Sequence, residues 1–207
     1  MKWKVLFFLF VVSSLAFATG FDGFEWGTAP DTVKAKYMSW EFVDNYDEEF
    51  NEYVIFIDDV VLNQEARKTF AFFNNELYMG CLCFDLSYSK QDNAYSFFYD
   101  VKELIEAKYG EPFHNDLGLG VGYKEQAYAD LSEKDKNVRV FTGDISPGAA
   151  WAIGNAWDKT DPKATLINLF ITVEGFLSEA SINVVYTNPL RFESRNRQRK
   201  EVQKEYF

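Results

Sequence analysis

The chain has 207 residues with 32 acidic and 21 basic side chains, which gives a net charge of −11, and 47% of its residues are hydrophobic. This composition suits a chain that packs a core and excludes disordered, collagen-like and low-complexity architectures, and its acidity argues against binding nucleic acid, whose phosphates are held mainly by lysine and arginine. The two cysteines are too few for a disulfide-dense scaffold or a four-cysteine zinc site.

Residues 1–18 have the features of a cleavable signal peptide. Lys2 and Lys4 form a positive start, a mostly apolar stretch follows, and Ala16 and Ala18 occupy the two positions that signal peptidase reads. An uncleaved membrane anchor is the alternative, but the apolar stretch is shorter than the ~20 residues that a membrane-crossing helix needs. We therefore predict cleavage after Ala18, export, and a mature chain without a transmembrane segment.

The first element of the mature chain is predicted to be a short helix over residues 29–38. Thr28 can cap this helix, Pro30 is tolerated in its first turn, and Asp31 stands where a capping-box acid reaches back to the cap. The sequence therefore predicts a capped helix directly ahead of the first strands.

Three segments rich in β-branched and aromatic residues follow this helix. The two later segments are separated by Asn74 and Asn75, which accept positive φ and suit a tight hairpin. Apolar residues fall on both alternating faces, so we expect both faces of the sheet to be covered at least in part. The predicted strands are Tyr53–Ile57, Ala66–Phe73 and Glu76–Leu86.

The apolar period changes to that of a helix over residues 92–109. Gly110 can supply a left-handed turn at its end, and Pro112 blocks continuation. Such a stripe more often faces a core than a ligand. The apolar stripe of this predicted long amphipathic helix is Ala94, Phe97, Phe98, Val101, Leu104, Ile105 and Tyr109.

Residues 113–163 are rich in glycine, aspartate and lysine, and their role is not assigned. Short apolar runs predict one strand at 138–142 and another at about 151–157. The alternation after them predicts a strand over 165–173 and a returning strand over 181–186.

This order of elements predicts an α+β fold with a mainly antiparallel sheet and the long amphipathic helix packed on it. We expect residues 19–190 to form a single globular domain. Residues 191–207 hold six basic and three acidic side chains, which predicts a basic C-terminal helix or tail after Pro189. This tail either lies on its own acidic neighbour or contacts an anionic partner such as envelope lipid.

Two stretches together resemble a group of uncharacterised exported bacterial proteins. Phe21-x-Gly23-x-x-Trp26-Gly27-Thr28, with Val33 in the helix that follows, is similar to the F-x-G-x-x-W-G-(T/S) segment found after their signal peptides. Lys108-Tyr109-Gly110-x-Pro112 is similar to their K-Y-G-x-P helix stop, and Trp157, the strand from Thr165 and Tyr186 follow in plausible order. The resemblance implies a bacterial cell-envelope location and an α+β fold. It supplies no catalytic residue.

The residues of the first stretch also have their own physical interpretation. Gly23 and Gly27 flank Trp26 and permit the backbone turns that let an indole enter the core. We therefore predict that Trp26 is a packing anchor rather than a residue that stacks on a ligand.

The candidate catalytic residues are few. His114 is the only histidine, so a serine or cysteine triad would have to use it, with Asp116 to orient it. An ordinary loop histidine is the simpler interpretation. Gly118, Gly120 and Gly122 do not match a dinucleotide or phosphate loop. No catalytic, cofactor-binding or metal-binding residue is therefore assigned, and the ligand-binding residues remain unknown.

Two further groups of residues leave alternatives open. The acidic residues of the 44–52 segment could bind calcium through oxygen atoms, although a solvated loop fits their spacing better. Cys81 and Cys83 leave one face of the same predicted strand, at or beyond the usual disulfide distance, so we interpret them as reduced, buried thiols, with a strained redox pair or an intermolecular bridge as alternatives. The acids are Asp44, Asp47, Glu48, Glu49 and Glu52.

The sequence favours an exported, non-catalytic binding or interaction module that holds a protein, a glycan or an apolar ligand, and it predicts no cofactor. Aromatic residues make up 18% of the chain, and they suit contact surfaces as well as cores. The alternative is a small hydrolase of envelope polymers with two carboxyl groups about 5 to 9.5 Å apart, at least one with a raised pKa. A structural protein that contacts an envelope component through its basic tail is a third hypothesis.

Overall fold

A computed structural model describes residues 20–38, 42–90, 92–118, 128–158, 160–175 and 177–205. The predicted signal peptide, residues 1–18, lies outside these residues. Within the described ranges, none of the helices combines the length and the apolar character needed to cross a membrane.

The fold is α+β, as the sequence predicts. The described strands β3 to β10 form one eight-stranded sheet in the order β3-β4-β5-β6-β10-β9-β8-β7, and β1 pairs with β2. The β1–β2, β3–β4, β4–β5 and β7–β8 pairs are antiparallel. Among the described residues, the α-helices are α1 (Pro30–Lys36), α2 (Ala94–Tyr109), α3 (Glu133–Phe141) and α4 (Pro189–Glu205). The strands are β1 (Gly20–Phe21), β2 (Phe24–Glu25), β3 (Phe42–Asp47), β4 (Glu52–Val61), β5 (Gln64–Phe73), β6 (Glu76–Ser87), β7 (His114–Asp116), β8 (Gly148–Ile153), β9 (Thr165–Glu174) and β10 (Glu179–Thr187).

The chain divides into two compact units. The first unit takes residues 1–82, 152–167 and 185–207, and the second takes residues 83–151 and 168–184. The divisions fall within β6, β8, β9 and β10, so each unit contains a part of each of these strands.

The first unit carries apolar side chains on both faces of β4 and β5. Phe70, on one face, is in ring contact with Phe21, Phe24 and Tyr37. The residue after it, Ala71, points to the other face, where it packs with Phe73 and Tyr78. The expectation that both faces are covered is therefore confirmed for these strands.

The hairpin predicted from the asparagine pair is confirmed. Asn74 and Asn75 have φ values of 51° and 61°, and they join β5 to β6 as a two-residue connection. Positive φ at both central residues is the conformation of a type I′ turn, which matches the twist of the flanking strands. The asparagine pair alone was sufficient to predict this connection.

The predicted first helix is present as α1, but the predicted cap is wrong. Ala29 occupies the cap position without a side-chain hydrogen bond, and the Thr28 hydroxyl donates to Glu25 O at 2.7 Å. Asp31 lies in the first turn and Pro30 begins the helix. Thr28 cannot cap because its hydroxyl is used by the preceding turn, a contact that sequence spacing does not reveal.

The predicted long helix is present as α2. Asn93 caps it by accepting a hydrogen bond from Ser96 N, and Gly110 ends it with φ of 81°. Of the predicted stripe, four side chains are buried and the others are half-buried. The buried ones are Ala94, Phe98, Val101 and Ile105.

The strand predicted over residues 138–142 is wrong, because residues 138–141 form the last part of α3 and Thr142 is its C-cap. Ser132 caps the helix by accepting a hydrogen bond from Asp135 N at 3.1 Å. Val140 and Phe141 are buried. A short apolar run does not distinguish a strand from one face of a helix, and the serine cap decides this case.

The strand predicted at about 151–157 is only partly correct. β8 ends at Ile153, and Gly154 then adopts φ of 67°. Trp157 consequently belongs to a turn rather than to a strand. The strand cannot continue past Gly154 because its positive φ redirects the backbone.

The predicted basic C-terminal helix is present as α4 and lies beside acidic residues of its own unit. Arg195 Nε and Glu52 Oε1 are 2.6 Å apart. Arg191 reaches Glu76, and Arg199 also approaches Glu52. Several bases of the tail are therefore used within the first unit.

Candidate functional site

A cluster of charged side chains lies between the β1–β2 turn and β5 in the first unit. Asp22 adopts φ of 52° in that turn, and its side chain is only 6% exposed. Lys36 Nζ lies 2.9 Å from Asp22 Oδ2, and Lys68 Nζ lies 3.1 Å from Asp22 Oδ1. The Tyr37 hydroxyl also donates to Asp22 Oδ2. Asp22 therefore joins the hairpin, α1 and β5 through one carboxylate.

The cluster extends along the strands through Lys68. Its ammonium, on a side chain only 12% exposed, also lies 2.8 Å from Asp59 Oδ2. Burial acts to lower the pKa of Lys68, but the charges and hydrogen bonds of Asp22 and Asp59 outweigh it, and the pKa is raised. Burial and the neighbouring Asp22 raise the pKa of Tyr37. Both groups thus stay protonated at physiological pH.

This cluster is a structural anchor rather than a reaction centre. Both oxygens of Asp22 accept hydrogen bonds, from Lys36 and Tyr37 on one oxygen and from Lys68 on the other. A carboxylate held by three side chains ties together the segments that carry them. We therefore assign to the cluster the role of holding the N-terminal hairpin on the sheet.

Trp26 is the packing anchor that its two flanking glycines predict. It is buried, and its Nε1 donates to Thr165 Oγ1 at 2.8 Å. Gly23 and Gly27 have φ values of 83° and 90°, a region that favours glycine. Trp26 therefore belongs to the core, with its polar atom satisfied.

Trp157 is the opposite case, because its side chain is 68% exposed whereas that of Trp151 is 2% exposed. It lies in the 154–164 loop of the first unit. An indole is usually among the most buried side chains of a domain, since it removes a large apolar area from water. Exposure of Trp157 therefore marks the loop as a candidate contact surface.

The loop that carries Trp157 is held in shape by two aspartates. Asp158 Oδ1 accepts hydrogen bonds from Thr160 N and Thr160 Oγ1. Asp161 accepts from Asn155 N through one oxygen and from Lys163 N through the other. These contacts fix the backbone on both sides of Trp157 and present the indole from an ordered loop.

The far end of the same loop is tied to the beginning of α4. Asn188 is fully buried, and its Nδ2 donates to Pro162 O at 3.1 Å and to Ala164 O at 2.8 Å. Its Oδ1 accepts from Arg191 N at 3.0 Å. The loop is therefore anchored by a buried amide as well as by its own turns.

The single histidine is exposed. His114 and Asp116 both lie in β7, an outer strand of the sheet, and both are exposed. Asp116 Oδ1 accepts a hydrogen bond from Gly118 N at 2.9 Å. Asp116 therefore shapes the turn after β7, and no triad is proposed here.

The glycine-rich segment is only partly described. Gly118 has φ of 56°, and a Cβ there would overlap Ser146 O. Close backbone packing therefore explains this glycine, whereas Gly120 and Gly122 lie outside the described residues.

The acidic segment 44–52 does not gather into a metal site. Its members have separate partners: Asp44 pairs with Lys34, Glu52 with Arg195, and Asp47 accepts from the amides of Glu49 and Phe50. Across the ranges that the structure describes, no group of three or more histidine, cysteine or acidic side chains is arranged to hold a metal ion.

Cys81 and Cys83 are half-buried and form no disulfide with each other. Cys83 Sγ lies 3.5 Å from Asp85 Oδ1, and the same oxygen accepts from Ser181 Oγ at 2.8 Å. Both thiols lie in β6, as predicted, but they are less buried than expected.

Among the described carboxyl groups, those of Asp44 and Asp161 have a pKa lowered from its ordinary value. Hydrogen bonds from Tyr53 and Lys34 lower the pKa of Asp44. The amides of Lys163 and Asn155 lower the pKa of Asp161. A hydrolase acid needs a raised pKa, so neither group is suited to that role.

Lys108 is held in an unfavourable environment at the end of α2. Its Nζ is buried without a hydrogen-bond partner among the described residues and lies 4.7 Å from the centroid of the Tyr109 ring. Burial lowers its pKa to about 8. The folded state therefore disfavours the charged amine that the unfolded chain carries at neutral pH.

We expect Lys108→Met to stabilise the protein at pH 7 by about 1 kcal/mol, after the full effect of the shift is discounted for solvent screening. Between pH 8 and about 10.4 the unfolded chain binds more protons than the folded one, so wild-type stability should rise with pH in this window and the variant should not share the rise. Urea unfolding from pH 7 to 10 measures both effects. The exposed Lys134 is the control: Lys134→Met should change neither the stability at pH 7 nor its dependence on pH. Equal behaviour of the two variants would contradict the effect expected of Lys108.

The sequence analysis placed Trp157 at the end of a predicted strand, although the residues around it indicated a loop. Gly154-Asn155 and Asp161-Pro162 are turn-forming pairs on either side of Trp157. They indicate a loop, and an aromatic residue within an ordered loop is a candidate contact residue. The carboxylate of Asp22 had no comparable signal, because its partners come from distant positions.

Comparisons with known proteins add no evidence about the site. No protein-family model, no curated protein and no solved structure matches the chain.

Proposed function

We propose that the protein is an exported, non-catalytic binding module of the bacterial cell envelope, with Trp157 at the centre of its contact surface. The exposure of Trp157 is the observation that carries this proposal. Aromatic side chains are the most frequent anchors of binding surfaces, because they offer a large rigid area at low cost in side-chain entropy.

The construction of the loop supports this function. An exposed indole on a floppy segment would lose conformational entropy on binding, whereas the turns at Asp158 and Asp161 order the backbone beforehand. Thr160 and Asn155 are exposed near the indole in sequence and add hydrogen-bonding groups. The surroundings thus suit a ligand with both apolar and polar surface.

The cell-envelope location rests on the sequence of residues 1–18 and on the resemblance of the Phe21–Thr28 segment. The basic helix α4 is a weaker candidate for the contact, because Arg191 and Arg195 already pair with Glu76 and Glu52. We therefore propose the Trp157 loop, rather than the tail, as the surface that recognises an envelope component.

Replacing Trp157 by alanine should weaken binding to isolated envelope polymers or envelope membranes by about tenfold or more, the loss expected of an aromatic anchor. Co-sedimentation of the purified protein with cell-wall sacculi and with envelope vesicles measures this. Tyr46→Ala is the matched control, since Tyr46 is also an exposed aromatic residue of the first unit. Equal binding by all three proteins, or a loss shared by Tyr46→Ala, would refute the role of Trp157.

Export is tested separately. A chain carrying a C-terminal tag should be recovered from the envelope fraction of a bacterial host with Thr19 as its first residue. Ala18→Arg places a large charged side chain at the position next to the cleaved bond and should leave the leader attached. Recovery of the wild-type chain from the cytoplasm with residues 1–18 still present would overturn the proposed location.

A further inference from the structure

Three tyrosine rings and one lysine form a compact aromatic cluster in the second unit, which we name the tyrosine cage. Its members are Tyr95 and Tyr99 of α2, Tyr128, and Lys136 of α3. The Tyr95 and Tyr99 ring centroids are 4.8 Å apart at 55°, and those of Tyr95 and Tyr128 are 6.2 Å apart at 65°. The rings are inclined to one another, so they do not form a parallel stack.

The cage holds a cation over two ring faces. Lys136 Nζ lies 4.9 Å from the Tyr128 centroid and 5.6 Å from the Tyr95 centroid. Both distances fall within the ~6 Å over which the negative face of a ring attracts a positive charge. One ammonium group is therefore shared by two rings.

This arrangement differs from that of the lysines that form ion pairs. Lys34, Lys36, Lys68 and Lys102 each pair with a carboxylate. Within the described ranges no carboxylate lies within ion-pair distance of Lys136. A primary ammonium is strongly hydrated and prefers carboxylates or water, so it fits poorly between rings. A quaternary ammonium has no N–H group to satisfy and is the cation that aromatic cages bind best.

The cage is fixed in place before any ligand arrives. Asn137, next to Lys136, donates through Nδ2 to Asp92 O at 3.0 Å and accepts from Tyr95 N at 3.2 Å. Asn93 and Ser132 cap α2 and α3. These contacts hold the two helices together at the cage, so a ligand would not have to order them.

The third ring of the cage, Tyr128, is buried. Its phenol group interacts with those of Tyr95 and Tyr99. Burial raises the pKa of Tyr99 to about 12 and raises that of Tyr128, so both rings remain neutral phenols at physiological pH.

We propose that the tyrosine cage binds a quaternary-ammonium group and that Lys136 is an internal occupant which the ligand displaces. The proposal does not depend on the Trp157 surface, which lies in the other unit. It assigns the second unit a small-molecule or headgroup ligand of a defined chemical class.

The test is a titration of the purified full chain with choline chloride, followed by calorimetry and by the chemical shifts of the tyrosine rings. Lys136→Met should bind choline about tenfold more tightly than the wild type, because the competing ammonium is gone. Lys134→Met, on the same helix and exposed, should bind as the wild type does. Equal affinity of Lys136→Met and wild type, or no binding by either, would overturn the proposal.

Two further arms identify the cause of binding. In the Lys136→Met background, Tyr95→Phe keeps the ring and should retain most of the affinity, whereas Tyr95→Leu should lose about tenfold. The neutral carbon analogue of choline, 3,3-dimethyl-1-butanol, should bind at least about tenfold more weakly than choline. Comparable binding of the analogue would show an apolar pocket without charge recognition, and it would refute the proposal even if Tyr95→Leu failed to fold.

Discussion

Replacing Asp22 by asparagine should destabilise the protein by about 3 kcal/mol, the cost of removing one partner from a buried ion pair. Asparagine keeps the shape of the side chain and tolerates the φ of 52° at this position, so the variant removes the charge and little else. Lys68 and Lys36 would then face each other across the cluster without the carboxylate between them. Urea unfolding at pH 7 measures the loss.

Two further variants show whether the charge is responsible. Asp58→Asn removes a carboxylate that also pairs with a base but is 78% exposed, and it should cost at most about 1 kcal/mol. Combining Lys68→Met with Asp22→Asn should cost less than the sum of the two single losses, because both variants remove the same Asp22–Lys68 ion pair. A loss for Asp22→Asn no larger than that for Asp58→Asn would refute the anchoring role of the cluster.

Truncating Phe21 to alanine should cost about 3 to 4 kcal/mol. Its buried ring lies 5.1 Å from that of Phe70 and 5.4 Å from that of Tyr186, centroid to centroid. A Cβ at Gly80 would overlap the same ring, so Gly80→Ala should cost about 1 to 3 kcal/mol by overpacking. Urea unfolding of the two variants measures both losses.

The double variant provides the decisive comparison. With the Phe21 ring removed, the ring atoms that the added methyl group of Gly80→Ala would overlap are gone, and only the Cβ of residue 21 still lies too close to it, so the combined cost should be less than the sum of the two single costs. Gly148→Ala is the control, since its nearest atom would be Leu169 O at the ordinary distance of 3.6 Å; its effect should stay within about 0.5 kcal/mol. If the free-energy losses of Phe21→Ala and Gly80→Ala simply add, the packing of the Phe21 ring does not require a glycine at position 80.

The elements that the sequence predicted well are those whose signal is local. Asn74-Asn75 predicted a hairpin because the asparagine side chain tolerates positive φ. Gly110 and the helical apolar period predicted α2 and its end. In each case a few neighbouring residues determine the local structure.

The errors arose where a distant contact decides the outcome. Threonine commonly caps helices, but the Thr28 hydroxyl donates its hydrogen bond to Glu25 O instead. The run at 138–142 has strand-like residues, yet the burial of Val140 and Phe141 and the cap at Ser132 make most of it a helix. The intrinsic conformational propensity of five residues contributes less free energy than either the burial of these side chains or the helix cap.

By itself the sequence determined the α+β class, the positions of the long helix and of the Asn74–Asn75 hairpin, and the burial of Trp26, because composition, period and turn chemistry are properties of neighbouring residues. Only the tertiary structure decided which charges and rings meet. Asp22 and Lys68 are 46 residues apart in the chain, and Tyr95 and Lys136 belong to different helices. Electrostatic and aromatic contacts depend on the distance between side chains in space. That distance is set only when the strands and helices pack together, so the order of residues along the chain does not reveal it.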